Sequence, residues 1–146
     1  MDRMVKSLLC CALLVLSEES RADWMKTGGP PGGPVSAVQP IGGYVFAGTW
    51  GLGVFRSVDN GYTWVSMGSG MSSVSAFSFA EKSGYVFAAT EEGLYRSGSY
   101  GGSWVKLAVS PAADGSRFNC LVSTSTASIA GSDGDGLFRS THLGAT

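Results

Sequence analysis

Gly53-Val-Phe-Arg-Ser57 is the stretch that decides the fold, because its pattern returns as Gly93-Leu-Tyr-Arg-Ser97 and as Gly136-Leu-Phe-Arg-Ser140. The copies begin 40 and 43 residues apart, and repeats of about 40 to 50 residues are typical of propeller blades. Short runs of β-branched and aromatic residues flank each copy, separated by Gly, Ser and Asn, which is the pattern of short strands and tight turns. No helical period competes with this pattern after residue 22.

The similarity extends upstream of each copy. Gly43–Thr49 matches Gly84–Thr90, with Ser128–Ser132 as a fainter third member. The sequence therefore predicts an all-β fold of β-propeller blades, each a four-stranded antiparallel meander.

The repeat also predicts how the chain is divided. We predict blade 1 at 35–73, blade 2 at 74–117 and a truncated blade 3 at 118–146. Because a ring closes with about 4 to 8 blades, this is an incomplete ring. The remaining blades are predicted to come from a longer chain or from homo-oligomerisation.

The N-terminal residues differ from the repeat. Arg3 and Lys6 precede the apolar run 8–16, and small residues at 20 and 22 precede Asp23, which predicts a signal peptide over 1–22. The run is too short for a membrane span, which needs about 20 apolar residues. We therefore expect an exported protein (periplasmic, secreted or at the cell surface), with a Gly/Pro-rich linker over 23–34.

Composition and cysteine usage set further bounds. The 146 residues are 44% hydrophobic and 14% charged, with 22 glycines and a net charge of −1, so nucleic acid is not an expected partner. Once 1–22 is removed, Cys120 is alone and no intrachain disulfide can form. Cys120 is predicted to be a buried structural thiol, because Phe118 and Val122 would share its strand face.

The turn after each repeat carries a recognisable motif. Ser57-Val-Asp59-Asn-Gly61-Tyr-Thr-Trp64 (box 1) resembles the Asp-box, S/T-x-D-x-G-x-x-W/F, of BNR and sortilin-type propellers, sialidases and several other glycoside hydrolases. Box 2, residues 97–104, has serine in place of the aspartate, and box 3, from residue 140, has His142 there. The resemblance runs from about residue 35 to the C-terminus and implies a WD40/YVTN/BNR-like propeller, a group that includes photosystem-assembly propellers. The motif is specific for fold and poor for function.

The chemistry of the box predicts a structural role. The Asp59 carboxylate can accept hydrogen bonds from N–H groups of its own turn, and Gly61 can adopt a positive φ. Trp64 would bury its ring between blades. Ser99 would keep a weaker version of the turn, and His142 would form one only with a different geometry. The predicted structural box residues are Ser57, Asp59, Gly61, Trp64, Ser97, Gly101 and Trp104.

A candidate ligand face follows from the alternation of turns in a meander. The second turn of each blade lies at the end opposite the box, together with the crossovers between blades. The second turns differ between copies, and repeat proteins often carry function in such positions. Trp50 could stack on a ligand, and acids could bind a sugar, cation or peptide amine; ordinary solvated turns are the alternative. The candidates are Trp50, Glu91, Glu92, Asp133 and Asp135.

No residue pattern predicts catalysis, a metal site or a cofactor. Asp133-Gly-Asp135 begins like a calcium loop, but Leu137 and Gly144 stand where further acidic ligands belong. Nothing in the spacing pairs two carboxylates for glycoside hydrolysis. Arginines 56, 96 and 139 recur at one position of the repeat, which is typical of scaffold residues.

The function predicted from the sequence is therefore non-catalytic. The first hypothesis is an exported propeller module or fragment that presents a face to an unidentified protein or carbohydrate. The alternatives are an N-terminal fragment of an Asp-box glycoside hydrolase, sialidase-like or glucanase-like, and a structural repeat spacer of a cell-surface protein.

Overall fold

A computed structural model describes residues 23–71, 74–111 and 115–145. The predicted signal peptide, 1–22, lies outside the described residues. The described chain forms three antiparallel sheets, each in sequential strand order. Blade 1 contains β1 (Val35–Ile41), β2 (Tyr44–Thr49), β3 (Val54–Ser57) and β4 (Val65–Ser66). Blade 2 contains β5 (Ala76–Lys82), β6 (Tyr85–Thr90), β7 (Gly93–Ser97) and β8 (Val105–Lys106), and blade 3 contains β9 (Phe118–Ser123), β10 (Ser128–Ser132) and β11 (Leu137–Ser140).

The first hairpin of blades 1 and 2 closes with a two-residue turn. Gly42 and Gly43 have φ values of 58° and 82°, and Ser83 and Gly84 have 52° and 80°. Positive φ at both central residues matches the twist of the flanking strands. This turn fixes the register, in which Ile41 pairs with Tyr44 and Lys82 with Tyr85.

Apolar side chains are buried between successive blades. Phe46 and Val54 of blade 1 belong to one cluster with Phe79, Tyr95 and Trp104 of blade 2. A second, smaller cluster joins blade 2 to blade 3 through Ala89, Leu94, Phe118 and Ala130. Full burial of a Val or Phe side chain contributes about 1.5 to 3 kcal/mol, so blade-on-blade packing stabilises the fold. The predicted all-β class of propeller blades in an incomplete ring is confirmed.

Blades 1 and 2 approach closely at Gly48. A Cβ atom placed there would lie 2.2 Å from the main-chain oxygen of Ala76, the first residue of β5. The φ of Gly48 is not in the left-handed region, so its backbone conformation does not require glycine. The lack of space beside the Ala76 backbone does.

The outer edges of blades 1 and 3 expose side chains that are buried in blade 2. Val38 is 60% exposed, whereas Phe79, at the same register position of blade 2, is 4% exposed. Leu137 is 77% exposed, whereas its counterpart Leu94 is 8% exposed. Each outer blade thus presents one blade-packing surface to solvent.

The prediction that Cys120 is buried is wrong, because its thiol is exposed. The register of β9 against β10 shifts between Gly131 and Ser132, so Phe118 is buried while Cys120 is not. Cys120 also corresponds by register to Ser78, whose hydroxyl group contacts Leu121 of the next blade. In blade 3 this side faces solvent.

Candidate ligand-binding face

The second turn of each blade lies beside the crossover that enters the same blade. The main-chain nitrogens of Trp50, Glu91 and Asp133 donate hydrogen bonds to the carbonyl oxygens of Pro34, Ser75 and Arg117, at 3.1, 3.1 and 2.8 Å respectively. Pro34, the last residue of the predicted linker, therefore takes the place that a crossover residue takes in blades 2 and 3. Second turns and crossovers form one end of the sheets, which we call the crossover face.

A hydroxyl group at the end of the second strand closes each of these turns. Thr49 Oγ1 donates to the Gly53 carbonyl at 2.9 Å, and Thr90 Oγ1 donates to the Gly93 carbonyl at 2.8 Å. Ser132 Oγ donates to the Gly136 carbonyl at 3.0 Å. The repeat thus holds each turn in place and leaves the side chains at its tip free to differ.

Trp50 is part of an aromatic–cation cluster with Phe77 of blade 2 and Arg117, the last residue of the crossover before β9. Its ring is 48% exposed and meets the Phe77 ring edge-on, with centroids 5.1 Å apart. The Arg117 guanidinium lies 4.3 Å from the Phe77 centroid and 5.5 Å from the Trp50 centroid. Arg117 Nε also donates to Asn119 Oδ1 at 2.9 Å. These contacts orient a half-exposed indole on the crossover face.

The predicted carboxylates lie on the same face, on the second turns of blades 2 and 3. Glu91 Oε1 accepts a hydrogen bond from the Ser75 main-chain nitrogen at 2.7 Å, and Asp135 Oδ2 accepts one from Ser116 Oγ at 2.8 Å. Glu92 and Asp133 are exposed. Burial raises the pKa of Tyr95, and the negative charge of Glu92 raises it further.

The structure thus brings the five predicted residues to one end of the sheets without joining them in a single cluster. Glu91 and Asp135 have partners within the crossover face, and Trp50 packs against residues that the sequence analysis did not select. Phe77 was not predicted, and Arg117 was predicted on this face only as part of the crossover, not as a site residue. The sequence feature that could have pointed to Arg117 is its position directly before β9. A charged residue stands there, whereas the equivalent residues of the other units are Pro34 and Ser75.

Box 1, at the opposite end of blade 1, is held together by its own hydrogen bonds. Asp59 Oδ1 accepts from Ser57 Oγ at 2.7 Å and from the Thr63 nitrogen at 2.8 Å, and Asp59 Oδ2 accepts from Thr63 Oγ1 at 2.6 Å. Hydrogen bonds from the Thr63 hydroxyl and backbone, and then from Ser57, lower the pKa of Asp59 from 3.8 to about 2. These contacts are internal to the turn.

Boxes 2 and 3 keep the turn without the carboxylate. The box serine accepts from the glycine nitrogen four residues later in all three copies, at 2.8 Å (Gly61), 2.9 Å (Gly101) and 3.0 Å (Gly144). The residue before each glycine has a positive φ, 56° at Asn60, 49° at Tyr100 and 56° at Leu143. The expectation of a different geometry around His142 is wrong for the backbone, because the serine and the glycine already fix its path.

A cross-blade hydrogen bond joins two arginines of the repeat, Arg56 and Arg96, to the next box. Arg56 Nη1 donates to the Tyr100 carbonyl at 2.6 Å, and Arg96 Nη1 donates to the Leu143 carbonyl at 2.7 Å. Each guanidinium also lies over a tyrosine ring of its own blade, at 4.4 Å for Tyr44 and 4.8 Å for Tyr85. These two arginines therefore hold blades together. Arg139 is exposed.

Among residues 23–71, 74–111 and 115–145, no group of three His, Cys, Asp or Glu side chains could hold a metal ion. Over the same ranges, no helix has the length and apolar character to cross a membrane.

Solved structures with a similar fold include propellers. The chain is similar to YCF48 from Cyanidioschyzon merolae, with a TM-score of 0.60 and 12% identity over 77% of this chain and 35% of that one. An ancestral GH74 enzyme gives a TM-score of 0.59 and 21% identity, covering 75% of this chain and 17% of that one. The GH74 xyloglucanase from Xanthomonas campestris gives 0.55 and 15%, covering 70% and 18%. The chain thus spans about a third of YCF48 and under a fifth of these enzymes, and the likeness establishes the fold alone.

No protein-family model matches the chain, and no curated protein matches it.

Proposed function

We propose that the chain is an exported, non-catalytic Asp-box propeller module, or a fragment of a larger one, that binds a carbohydrate on the crossover face. The observation that carries the proposal is the half-exposed Trp50 ring, oriented by Phe77 and Arg117. A flat aromatic ring can pack on the apolar face of a sugar. A ring already held in place loses little conformational freedom on binding.

The polar groups of the crossover face favour a glycan over an apolar ligand. The exposed acids Glu92 and Asp133 can accept hydrogen bonds from sugar hydroxyl groups. Asp135, whose Oδ2 accepts a hydrogen bond from Ser116 Oγ, adds a third exposed carboxylate. Binding sites of this kind combine an apolar surface with a few oriented polar groups.

The test is titration of the purified chain with a xyloglucan oligosaccharide, followed by isothermal calorimetry and tryptophan fluorescence. We chose this probe because one protein of similar fold is a xyloglucanase. We expect saturable binding that Trp50→Ala weakens by about tenfold or more, as truncation of a central aromatic residue does at other interfaces.

The matched control is Tyr62→Ala, which removes another exposed aromatic ring from the box end of blade 1. This variant is expected to bind as the unchanged chain does. Equal losses in the two variants, or no binding to the oligosaccharide, would contradict a carbohydrate site at Trp50. Saturable binding to a peptide, without binding to the oligosaccharide, would contradict the carbohydrate ligand and indicate a protein ligand.

A second candidate is part of an Asp-box glycoside hydrolase, and the fold shared with GH74 enzymes favours it. Under that proposal the described residues contribute substrate contacts, and the acid pair of the reaction lies elsewhere in a longer protein. Release of reducing sugar by the chain that contains these blades would support this candidate over a binding module.

A further inference from the structure

A cleft lies between blades 2 and 3. Its volume is about 370 Å³. Apolar side chains from both blades form its walls, among them Phe87, Leu94, Leu107, Val109 and Phe138. The corresponding space between blades 1 and 2 belongs to the main buried cluster.

Trp104 of box 2 fills that corresponding space. Its ring is 3% exposed, its Nε1 donates to the Met67 carbonyl at 2.7 Å, and its main-chain nitrogen donates to the Ser69 carbonyl at 2.8 Å. Met67 and Leu107 hold the same position in their blades, because their nitrogens donate to the carbonyls of Val54 and Leu94. The cleft beside Leu107 and Val109 therefore lies where a tryptophan side chain equivalent to Trp104 would bind.

The required residue is a tryptophan at the start of a fourth strand. The chain carries such a segment before blade 1, since Asp23-Trp24-Met25-Lys26 is similar to Ser103-Trp104-Val105-Lys106. Trp24 lies 11 residues before the first residue of β1, where Trp64 and Trp104 lie 12 and 14 residues before β5 and β9. Residues 23–34 thus have the spacing of a fourth strand and its crossover, consistent with the crossover position of Pro34.

Trp24 has no packing partner in this chain, because its side chain is 102% exposed. Trp64, the tryptophan of box 1, also lacks a neighbouring blade and donates its Nε1 to the Gly61 carbonyl of its own turn. The unfilled cleft beside blade 3 and the unpacked tryptophan segment before blade 1 are complementary.

We propose that a second copy of this chain fills the cleft, with its residues 23–27 added to β11 as the fourth strand of blade 3 and its Trp24 seated between Leu107 and Phe138. The contact continues the interface that already joins blades 1 and 2 and blades 2 and 3. The described residues of each chain form three sheets, so the described parts of two chains would together close a ring of six. This lies within the range of about 4 to 8 blades, whereas three chains would exceed it.

The same arrangement accounts for the other exposed groups at the two edges. Leu137 of one copy would pack on the β1 side of the other, where Val38 is exposed, as Leu94 packs between blades 2 and 3. Arg139 would donate to the carbonyl of Asn60, the residue of box 1 that corresponds to Tyr100 and Leu143. The assembly is independent of what the crossover face binds.

The first test is the mass of the purified chain by light scattering coupled to size exclusion, across a range of concentrations. We expect a dimer, and we expect Trp24→Ala to raise its dissociation constant by about 100-fold or more. Trp24→Phe, which keeps an aromatic ring of the type that the motif accepts, is expected to retain most of the dimer. A monomer at all concentrations, or aggregate without a discrete dimer, overturns the proposal and assigns the cleft to a chain segment after Thr146.

A cross-link tests the contact even if Trp24→Ala fails to fold. Val65 pairs with Arg56 in blade 1, so Met25 of one copy is expected to face Arg139 of the other. Cα atoms of directly paired residues are about 4.5 to 5.5 Å apart, which suits a disulfide. In a Cys120→Ser background, Met25→Cys with Arg139→Cys is expected to give a disulfide-linked dimer on mild oxidation.

The matched control for the cross-link combines Met25→Cys with Val122→Cys. Val122 is an exposed position of the same sheet, but it lies two strands away from the predicted pairing. It is expected to remain unlinked. Equal cross-linking at both pairs, or none at Arg139→Cys, overturns the proposed register.

Discussion

Arg56 and Tyr100 belong to neighbouring blades, and the arginine Nη1 donates a 2.6 Å hydrogen bond to the tyrosine carbonyl oxygen. The acceptor lies in the turn of box 2. The arginine of blade 1 therefore binds a main-chain atom of blade 2, and the contact does not depend on the side chain at that position. Arg96 repeats the contact on Leu143. The sequence around the acceptor can therefore change while the contact persists.

Arg56→Ala is expected to lower the free energy of unfolding by about 1 to 3 kcal/mol, because it leaves a partly buried carbonyl without its charged donor. Arg56→Lys is expected to recover only part of the loss, since lysine lacks the planar group that both stacks on Tyr44 and reaches the carbonyl. Urea unfolding followed by circular dichroism measures both. Full stability in Arg56→Lys would contradict a role for the planar group.

Gly48→Ala is expected to cost about 1 to 3 kcal/mol, because the added methyl group meets the Ala76 backbone oxygen. Gly68→Ala is the matched control: its added Cβ would lie 3.7 Å from the Met71 oxygen, an ordinary contact. That variant is expected to stay within about 0.5 kcal/mol of the unchanged chain. Thermal unfolding of the two variants side by side is the measurement, and equal melting temperatures would contradict the close approach.

Asp59→Ser, which copies the residue found in box 2, is expected to remove a pH-dependent part of stability. The folded-state pKa of Asp59 is lowered from 3.8 to about 2, so its contribution is present above about pH 4 and is lost as the pH falls towards 2. The melting temperature of the unchanged chain should therefore exceed that of Asp59→Ser at pH 6. The two should converge near pH 2, and a gap that stays constant from pH 6 to pH 2 would count against the assigned pKa.

Arg117→Ala is expected to loosen the Trp50 ring at a small cost in stability, about 0.5 to 1 kcal/mol for an exposed cation–π contact. Because the guanidinium covers part of both rings, its loss should increase quenching of tryptophan fluorescence by acrylamide. Comparison with the Trp50→Ala variant shows how much of the quenched fluorescence comes from Trp50. If quenching changes equally when Arg117→Ala is made in the Trp50→Ala background, the contact with Trp50 is not responsible.

The repeat made the blades predictable, because each unit carries the same strands, turn residues and spacing. The contacts of Trp50 were not predictable in the same way. Phe77 reaches it from blade 2 and Arg117 from the end of the crossover that leads into blade 3, and which residues meet there depends on the register of strands far apart in the sequence. Periodicity specifies a residue's place within a blade but not its neighbours across blades.

Two local predictions failed for physical reasons that the sequence does not display. Cys120 follows a buried phenylalanine at the spacing of a shared strand face, but a register shift in β9 and β10 separates the two residues. His142 stands where the motif has an aspartate, yet the backbone there follows the common path because Ser140 and Gly144 hold it. In both cases main-chain geometry outweighed side-chain identity.

In both arginine contacts the donor comes earlier in the sequence than the acceptor, and this order bears on folding during translation. Each donor precedes its acceptor in the sequence, Arg56 by 44 residues and Arg96 by 47. The ribosome therefore synthesises the arginine of one blade before the turn of the next blade to which that arginine binds. Blades 2 and 3 are therefore each synthesised after the arginine that will hold them, so these contacts can form in the order in which the chain is translated.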